Sequence, residues 1–185
     1  MLTALWNRAK SFAKDTEGAV SVEFALAMPI IFWAFAGVYV FFDGYRQSTV
    51  NLKAAYTISD LLSRETEDIT ETYVTSMHSL LQVLTRTGSD AQLRVSVVRW
   101  DEDDDRYEIV WSRVRGGYGN PLSTASVAEL EDKLPVMPND EVVVLVETRN
   151  VFEPVFNIGM DDKNLENFVF TRLRFGPQLN FDQNG

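Results

Sequence analysis

The chain has 185 residues, of which 45% are hydrophobic, with 17 Lys and Arg residues against 27 Asp and Glu and a net charge of −10. The absence of cysteine excludes disulfides and zinc–thiolate sites, and the single histidine, His78, excludes multi-histidine metal centres. Three basic and three acidic residues precede Phe42, so the whole acidic excess belongs to the rest of the chain, which argues against nucleic acid or anionic lipid as its partner.

The first predicted elements are a charged leader, residues 1–18, and an apolar helix that follows it. The stretch Phe24–Phe42 contains no charged residue, and as a helix its roughly 19 residues span about 28 Å, which matches a hydrocarbon core. Basic residues in the leader favour its retention in the cytoplasm, which places the acidic domain outside. Arg46 and Lys53 follow the apolar stretch and weaken that asymmetry.

One carboxylate, Glu23, stands at the beginning of the apolar stretch, five residues after Gly18. A charge in hydrocarbon costs roughly 2.5–3.5 kcal/mol on insertion scales, so it needs compensation. A buried Glu23 requires a paired cation, whereas a Glu23 at the membrane surface would snorkel to water, and spacing alone leaves both interpretations open. We expect Pro29 to kink the helix rather than end it, because lipid offers no partners for freed backbone groups.

Helical periodicity continues beyond the apolar stretch and predicts one helix over residues 19–64. A second amphipathic helix follows and is expected to end near Gly88. The apolar positions at helical spacing are Val50, Ala54, Ile58 and Leu61 or Leu62 in the first helix, and Ile69, Tyr73, Met77, Leu80 and Leu84 in the second.

Period-two patterns appear later in the chain. Leu93–Val97 and Tyr107–Trp111 alternate between apolar and polar residues and predict a β-hairpin, with Asp101–Asp105 as an acidic tip. The uninterrupted apolar stretch Val142–Val146 predicts a strand covered on both faces, and Phe168–Phe175 predicts a last strand.

A capping-box pattern that starts at Ser126 predicts a short helix ending before Pro135. The predicted fold class is therefore α+β. A long membrane-spanning helix leads into a small extracytoplasmic domain, residues 65–185, built from a roughly four-stranded antiparallel sheet and packed helices.

The residues that could carry chemistry favour structural roles. The acidic tip lacks the spaced ligands and turn glycine of an EF-hand loop, so we interpret it as a solvated tip that discourages edge pairing. His78 is expected to be an ordinary surface or boundary residue. The aromatic residues Trp100, Trp111, Phe152 and Phe156 are expected in the core or at subunit contacts. We predict neither an enzyme nor a cofactor or metal site.

The segment Gly18-Ala19-Val20-Ser21-Val22-Glu23-Phe24-Ala25-Leu26-Ala27-Met28-Pro29 resembles the N-terminal signature of the TadE-like family. These proteins are minor pilins or pseudopilins of the bacterial tight-adherence (Flp-type) pilus machinery. The shared pattern is a glycine, then a valine and a glutamate, an aromatic or aliphatic residue, and a proline within an apolar helix. The resemblance covers residues 17 to about 46.

The resemblance implies that a prepilin peptidase cuts between Gly18 and Ala19, which leaves Glu23 as residue five of the mature subunit. Glu23, Phe24 and Pro29 would then serve assembly and recognition, with the α-amino group of a neighbouring subunit as the partner of Glu23. It further implies a single-pass protein of the bacterial inner membrane with a periplasmic domain, a role in pilus assembly and cell adhesion, and partners among other pilins and inner-membrane assembly proteins.

Two other interpretations of the N-terminal region remain open. Ala34-Phe35-Ala36 before Gly37 fits a signal-peptidase site, and an uncleaved single-pass anchor fits the same composition. The alternative function is a membrane-anchored periplasmic binding domain, in which the acidic tip Asp101–Asp105 recognises a basic partner or calcium.

Overall fold

The computed structural model describes residues 19–86 and 91–183 together with Trp6, Lys10 and Ser11. The rest of the predicted leader, with Gly18, and the predicted helix end near Gly88 lie outside these residues. The order of elements confirms an α+β fold. It consists of helices α1 (Ala19–Arg64) and α2 (Glu71–Thr85), strands β1 (Gln92–Asp101) and β2 (Arg106–Arg115), the short helix α3 (Thr124–Val127) continued by a 3₁₀ helix (Ala128–Lys133), and strands β3 (Val142–Phe152) and β4 (Lys163–Arg172).

The described chain divides into two compact units, and the division falls within α1. The apolar unit comprises the described residues up to Asp43 together with the segment Val155–Met160. The sheet unit comprises Gly44–Pro154 and the described residues from Asp161 onward. The C-terminal part of α1 therefore belongs to the sheet unit.

The sheet unit contains one four-stranded antiparallel sheet with the order β2-β1-β3-β4. A β-bulge interrupts the hairpin, because Val97 pairs with Trp111 whereas Val98 pairs with Ile109, which leaves Val110 without a counterpart and exposed. The bulge changes the face to which β2 side chains point. The alternation predicted for Tyr107–Trp111 would place Tyr107 and Trp111 on the same face of the sheet, and this was wrong, because Tyr107 packs in one apolar cluster and Trp111 in the other.

Apolar clusters cover both faces of the sheet. Helices α1 and α2 pack against one face through Ala54, Ile58 and Leu62 and through Val74 and Leu81. The segment from Leu122 to Met137, which includes α3, covers the other face. Alternate residues of Val142–Val146 point into the two clusters and all are buried, which confirms the prediction of a strand covered on both sides.

Two of the predicted strands have the wrong boundaries. Strand β3 continues to Phe152, and β4 begins at Lys163 and ends at Arg172 rather than covering Phe168–Phe175. The extension of β3 carries buried polar residues, among them Thr148 and Asn150, and the first half of β4 is a polar edge. Hydrogen bonding to the neighbouring strand forms these segments without an apolar pattern in the sequence.

The helix starts also differ from the prediction. Thr70 caps α2 by accepting a hydrogen bond from Tyr73 N at 3.1 Å, so Ile69 precedes the helix and instead forms a bridge with Phe181. The buried residues of α2 include Val74 and Leu81, which lay outside the predicted stripe. The capping box of α3 is formed by Ser123 as N-cap with Ser126 at N3, so Ser126 is not the cap.

Ion pairs join α2 to the edge strand β2. Glu71 accepts hydrogen bonds from Arg113, at 2.7 Å, and from Arg115. The Arg115 guanidinium, and after it Arg113, lowers the pKa of the Glu71 carboxyl, against the opposing effect of burial. His78 Nε2 donates to the Ala91 carbonyl oxygen at 2.7 Å and joins α2 to the residue before β1. His78 thus has the boundary position that was predicted.

Candidate functional site

The candidate site is the part of α1 that belongs to the apolar unit. One segment of α1, Val20–Ser63, is long and apolar enough to cross a membrane. Only 11% of the 18-residue stretch that meets this criterion is buried. Large apolar side chains are exposed all around this part of the helix rather than along one stripe, whereas a core helix of a soluble domain buries its apolar face. The exposed side chains include Phe24, Ile31, Phe32, Trp33, Phe35, Phe41 and Phe42.

The three predicted assembly residues all lie on this exposed part of α1. Glu23 is exposed, and no ion pair joins it to another residue in the described part of the chain. Phe24 is exposed beside it, and α1 continues without interruption through Pro29. Pro29 lies six residues after Glu23, about 240° around the helix, so the structure does not gather the three side chains into one cluster.

The structure adds a feature that the sequence did not reveal. The segment Val155–Met160, named here the apolar loop, connects β3 to β4 and lies beside α1 in the apolar unit. Phe156 packs edge-on against Tyr39, with ring centres 5.8 Å apart. A groove of about 440 Å³ runs between α1 and the loop, lined by Trp33, Ala34, Gly37, Val38, Phe41, Ile158, Gly159 and Met160. In the sequence this loop is marked only by a short apolar stretch without strand periodicity, next to charged residues. That pattern alone does not indicate contact with α1.

The acidic tip adjoins an ion-paired network that includes Glu108 on β2. Carboxylate oxygens of Asp101, Asp104 and Glu108 lie within 4.8 Å of one another, a grouping that could hold a metal ion. Arg106 already donates to Asp104 at 2.6 Å and to Glu108 at 2.8 Å. Hydrogen bonds from Arg99, then from Arg106, lower the pKa of the Glu108 carboxyl. The guanidinium groups therefore supply the positive charge that a cation would otherwise bring.

A second polar cluster fixes the loop of residues 116–120, which follows β2 and contains three glycines, to the sheet. Arg94 donates twice to Glu147, at 2.5 and 2.7 Å, and its guanidinium stacks on the ring of Tyr118, with Arg149 also over the ring. Burial, and secondarily the charge of Glu147, raises the pKa of Tyr118 to about 12. The phenol is protonated at neutral pH, as an unperturbed tyrosine also is, and the stacked guanidinium groups hold its ring against the sheet.

No protein-family model, curated protein sequence or solved structure matches the chain.

Proposed function

We propose that this protein is a structural subunit of a bacterial tight-adherence pilus system, a TadE-like minor pilin or pseudopilin that a prepilin peptidase processes. The observation that carries the proposal is the division of one continuous helix. The N-terminal part of α1 is apolar and exposed, and the C-terminal part is buried against the sheet through Ala54, Ile58 and Leu62. A subunit that is held in a membrane or a filament by one end of a helix requires this division.

The sequence signature supports the same proposal. Gly18, Glu23 and Pro29 occur in the spacing of the TadE-like pattern, and Glu23 lies where a lone carboxylate needs a partner. The bulky residues Phe32, Trp33 and Phe35 are exposed, so lipid or neighbouring subunits would have to cover them in the working protein.

Glu23 has a specific role in this proposal. After cleavage at Gly18, Ala19 carries a free α-amino group, and the Glu23 carboxylate of one subunit pairs with that group of its neighbour. The pair satisfies two charges in a low-dielectric setting, and it exists only between processed subunits. In this account the peptidase performs the chemistry and the present chain is its substrate.

The substitution Glu23→Gln tests the proposal, with Glu129→Gln as the matched control, because Glu129 is an exposed carboxylate of the sheet unit. Removing one member of a buried charge pair costs roughly 3–5 kcal/mol, which weakens docking on the order of 100-fold or more. We expect both variants to reach the membrane and to be cleaved, and only Glu23→Gln to be lost from sheared pili and from the assembly complex. Normal assembly of Glu23→Gln would refute the pairing.

Deletion of Asp101–Asp105 separates this proposal from the binding-domain alternative. A structural subunit keeps assembly and surface adhesion without the tip, because the one tip carboxylate in an ion pair, Asp104, pairs locally with Arg106 of the same hairpin. If adhesion fails without the tip but survives Glu23→Gln, the alternative of a membrane-anchored binding domain replaces the pilin proposal.

A further inference from the structure

The apolar loop combines two properties that rarely occur together in a protein surrounded by water. Its backbone is irregular, and four of its six residues carry apolar side chains. Val155, 66% exposed, and Phe156 are exposed, whereas Ile158 and Met160 are half-buried. The loop lies beside the part of α1 from Trp33 to Phe41, which is itself apolar and exposed. The exposed apolar surface of the helix therefore continues onto the loop.

An irregular backbone limits where a bilayer can be. Lipid-exposed loops do not occur within hydrocarbon, because their N–H and C=O groups would lack partners. If the hydrocarbon core enclosed α1 as far as Phe42, as composition alone suggests, the loop beside Trp33–Phe41 would lie inside it. The interfacial layer, about 5–8 Å thick on each side, provides water and headgroups for the backbone while apolar side chains reach the acyl chains.

From this geometry we infer that the apolar loop inserts into the bilayer interface, in the leaflet where α1 leaves the membrane at its C-terminal end. The inference rests on the proposed membrane anchoring of α1 and adds a second contact with lipid. The helix then leaves the hydrocarbon near Gly37, about five residues earlier than Phe42. Trp33 and Tyr39 lie at the depth where aromatic side chains favour the interface.

The loop has features suited to a shallow position. Asn157 accepts a hydrogen bond from Gly159 N at 3.2 Å, which satisfies one backbone donor within the loop itself. Glu153 on one side and Asp161 and Asp162 on the other are exposed carboxylates. Desolvating these charges is costly, so they limit insertion to the six apolar-loop residues between them. Apolar contact drives this insertion, and it requires no attraction to anionic lipid.

The position of the loop also bears on Glu23. Glu23 precedes Gly37 by 14 residues, or about 21 Å along the helix, whereas the hydrocarbon core is about 30 Å thick. With the exit at Gly37, Glu23 lies roughly 9 Å inside the core rather than at its surface. This depth favours a paired Glu23 over one that snorkels.

Single-cysteine labelling tests the inference cleanly, because the chain contains no cysteine. The full chain is reconstituted in phosphatidylcholine vesicles with an environment-sensitive fluorophore at Val155→Cys, at Val136→Cys or at Phe35→Cys. Val136 is the matched control, since it is also a loop valine and is 92% exposed in the sheet unit. Phe35, 70% exposed on α1, reports the anchoring of the helix itself.

We expect lipid-borne doxyl groups to quench most of the emission from the labels at 155 and 35, and aqueous iodide to quench the label at 136. A label at 155 that iodide quenches, with 35 still quenched by lipid, overturns the inference and leaves the anchor intact. A label at 155 shielded from both quenchers also overturns it, because protein would then cover the loop. Iodide quenching at 35 refutes the anchor and the inference together.

Discussion

The substitution Leu62→Ala tests whether the C-terminal part of α1 belongs to the core of the sheet unit. Leu62 is 0% exposed, whereas its neighbour Leu61 is 38% exposed on another face of the same helix. Truncation of Leu62 removes three carbons at about 0.8 kcal/mol each and leaves a cavity, so we expect a loss of about 2–5 kcal/mol in the free energy of unfolding. Leu61→Ala, a surface change, should cost less than about 1 kcal/mol.

The assay is guanidinium unfolding of the full chain in detergent micelles, in a background that carries Trp6→Phe and Trp33→Phe. The remaining tryptophans, Trp100 and Trp111 of the sheet unit, then supply the fluorescence. The pair of leucine variants removes the same atoms from adjacent positions, so intrinsic helix propensity cancels between them. Equal destabilisation by the two substitutions, or no effect of Leu62→Ala, would refute the account of α1 as one helix with an exposed part and a core part.

Two further predictions concern contacts within the sheet unit. Gly116 and Gly117 both have positive φ, so an alanine is strained at either position. A Cβ at Gly116 would also lie 2.2 Å from the Ala91 carbonyl oxygen, whereas a Cβ at Gly117 would meet open space. Gly116→Ala should therefore lower the unfolding midpoint clearly more than Gly117→Ala. The lowered pKa of Glu71 contributes stability above its ordinary value of 4.5, and that contribution is lost as the pH falls through the folded-state value. The stability advantage of the wild type over Glu71→Gln, measured by denaturant unfolding, should therefore be present at neutral pH and shrink as the pH falls below 4.5. A pH-independent difference would contradict the ion pair with Arg115.

Sequence patterns predicted the elements whose apolar residues carry a clear period. The long α1, the hairpin and the doubly covered Val142–Val146 followed from spacing, because burial on one or both faces of an element imposes that spacing. The bulge at Val110 was missed, since a single extra residue changes the face of a strand without changing its composition. The polar start of β4 was missed for a related reason, because its strand geometry comes from pairing with β3.

The candidate site shows the same division between local and long-range information. Glu23 and Pro29 were identifiable because the signature is contiguous in sequence. The apolar loop was not identifiable as part of the site, because more than 100 residues separate Phe156 from Tyr39, the side chain against which it packs. The ion pairs of Glu71 with Arg113 and Arg115 are likewise long-range and leave no local pattern.

The identity of the mature N-terminus tests the proposed function most directly. The protein is isolated from envelope fractions of cells that contain the pilus system, and its first residues are determined by N-terminal sequencing. The account predicts a chain that begins at Ala19, with Glu23 as its fifth residue. A chain beginning at Gly37 would identify a secreted protein and one beginning at Met1 an uncleaved anchor, and either result would contradict the proposal.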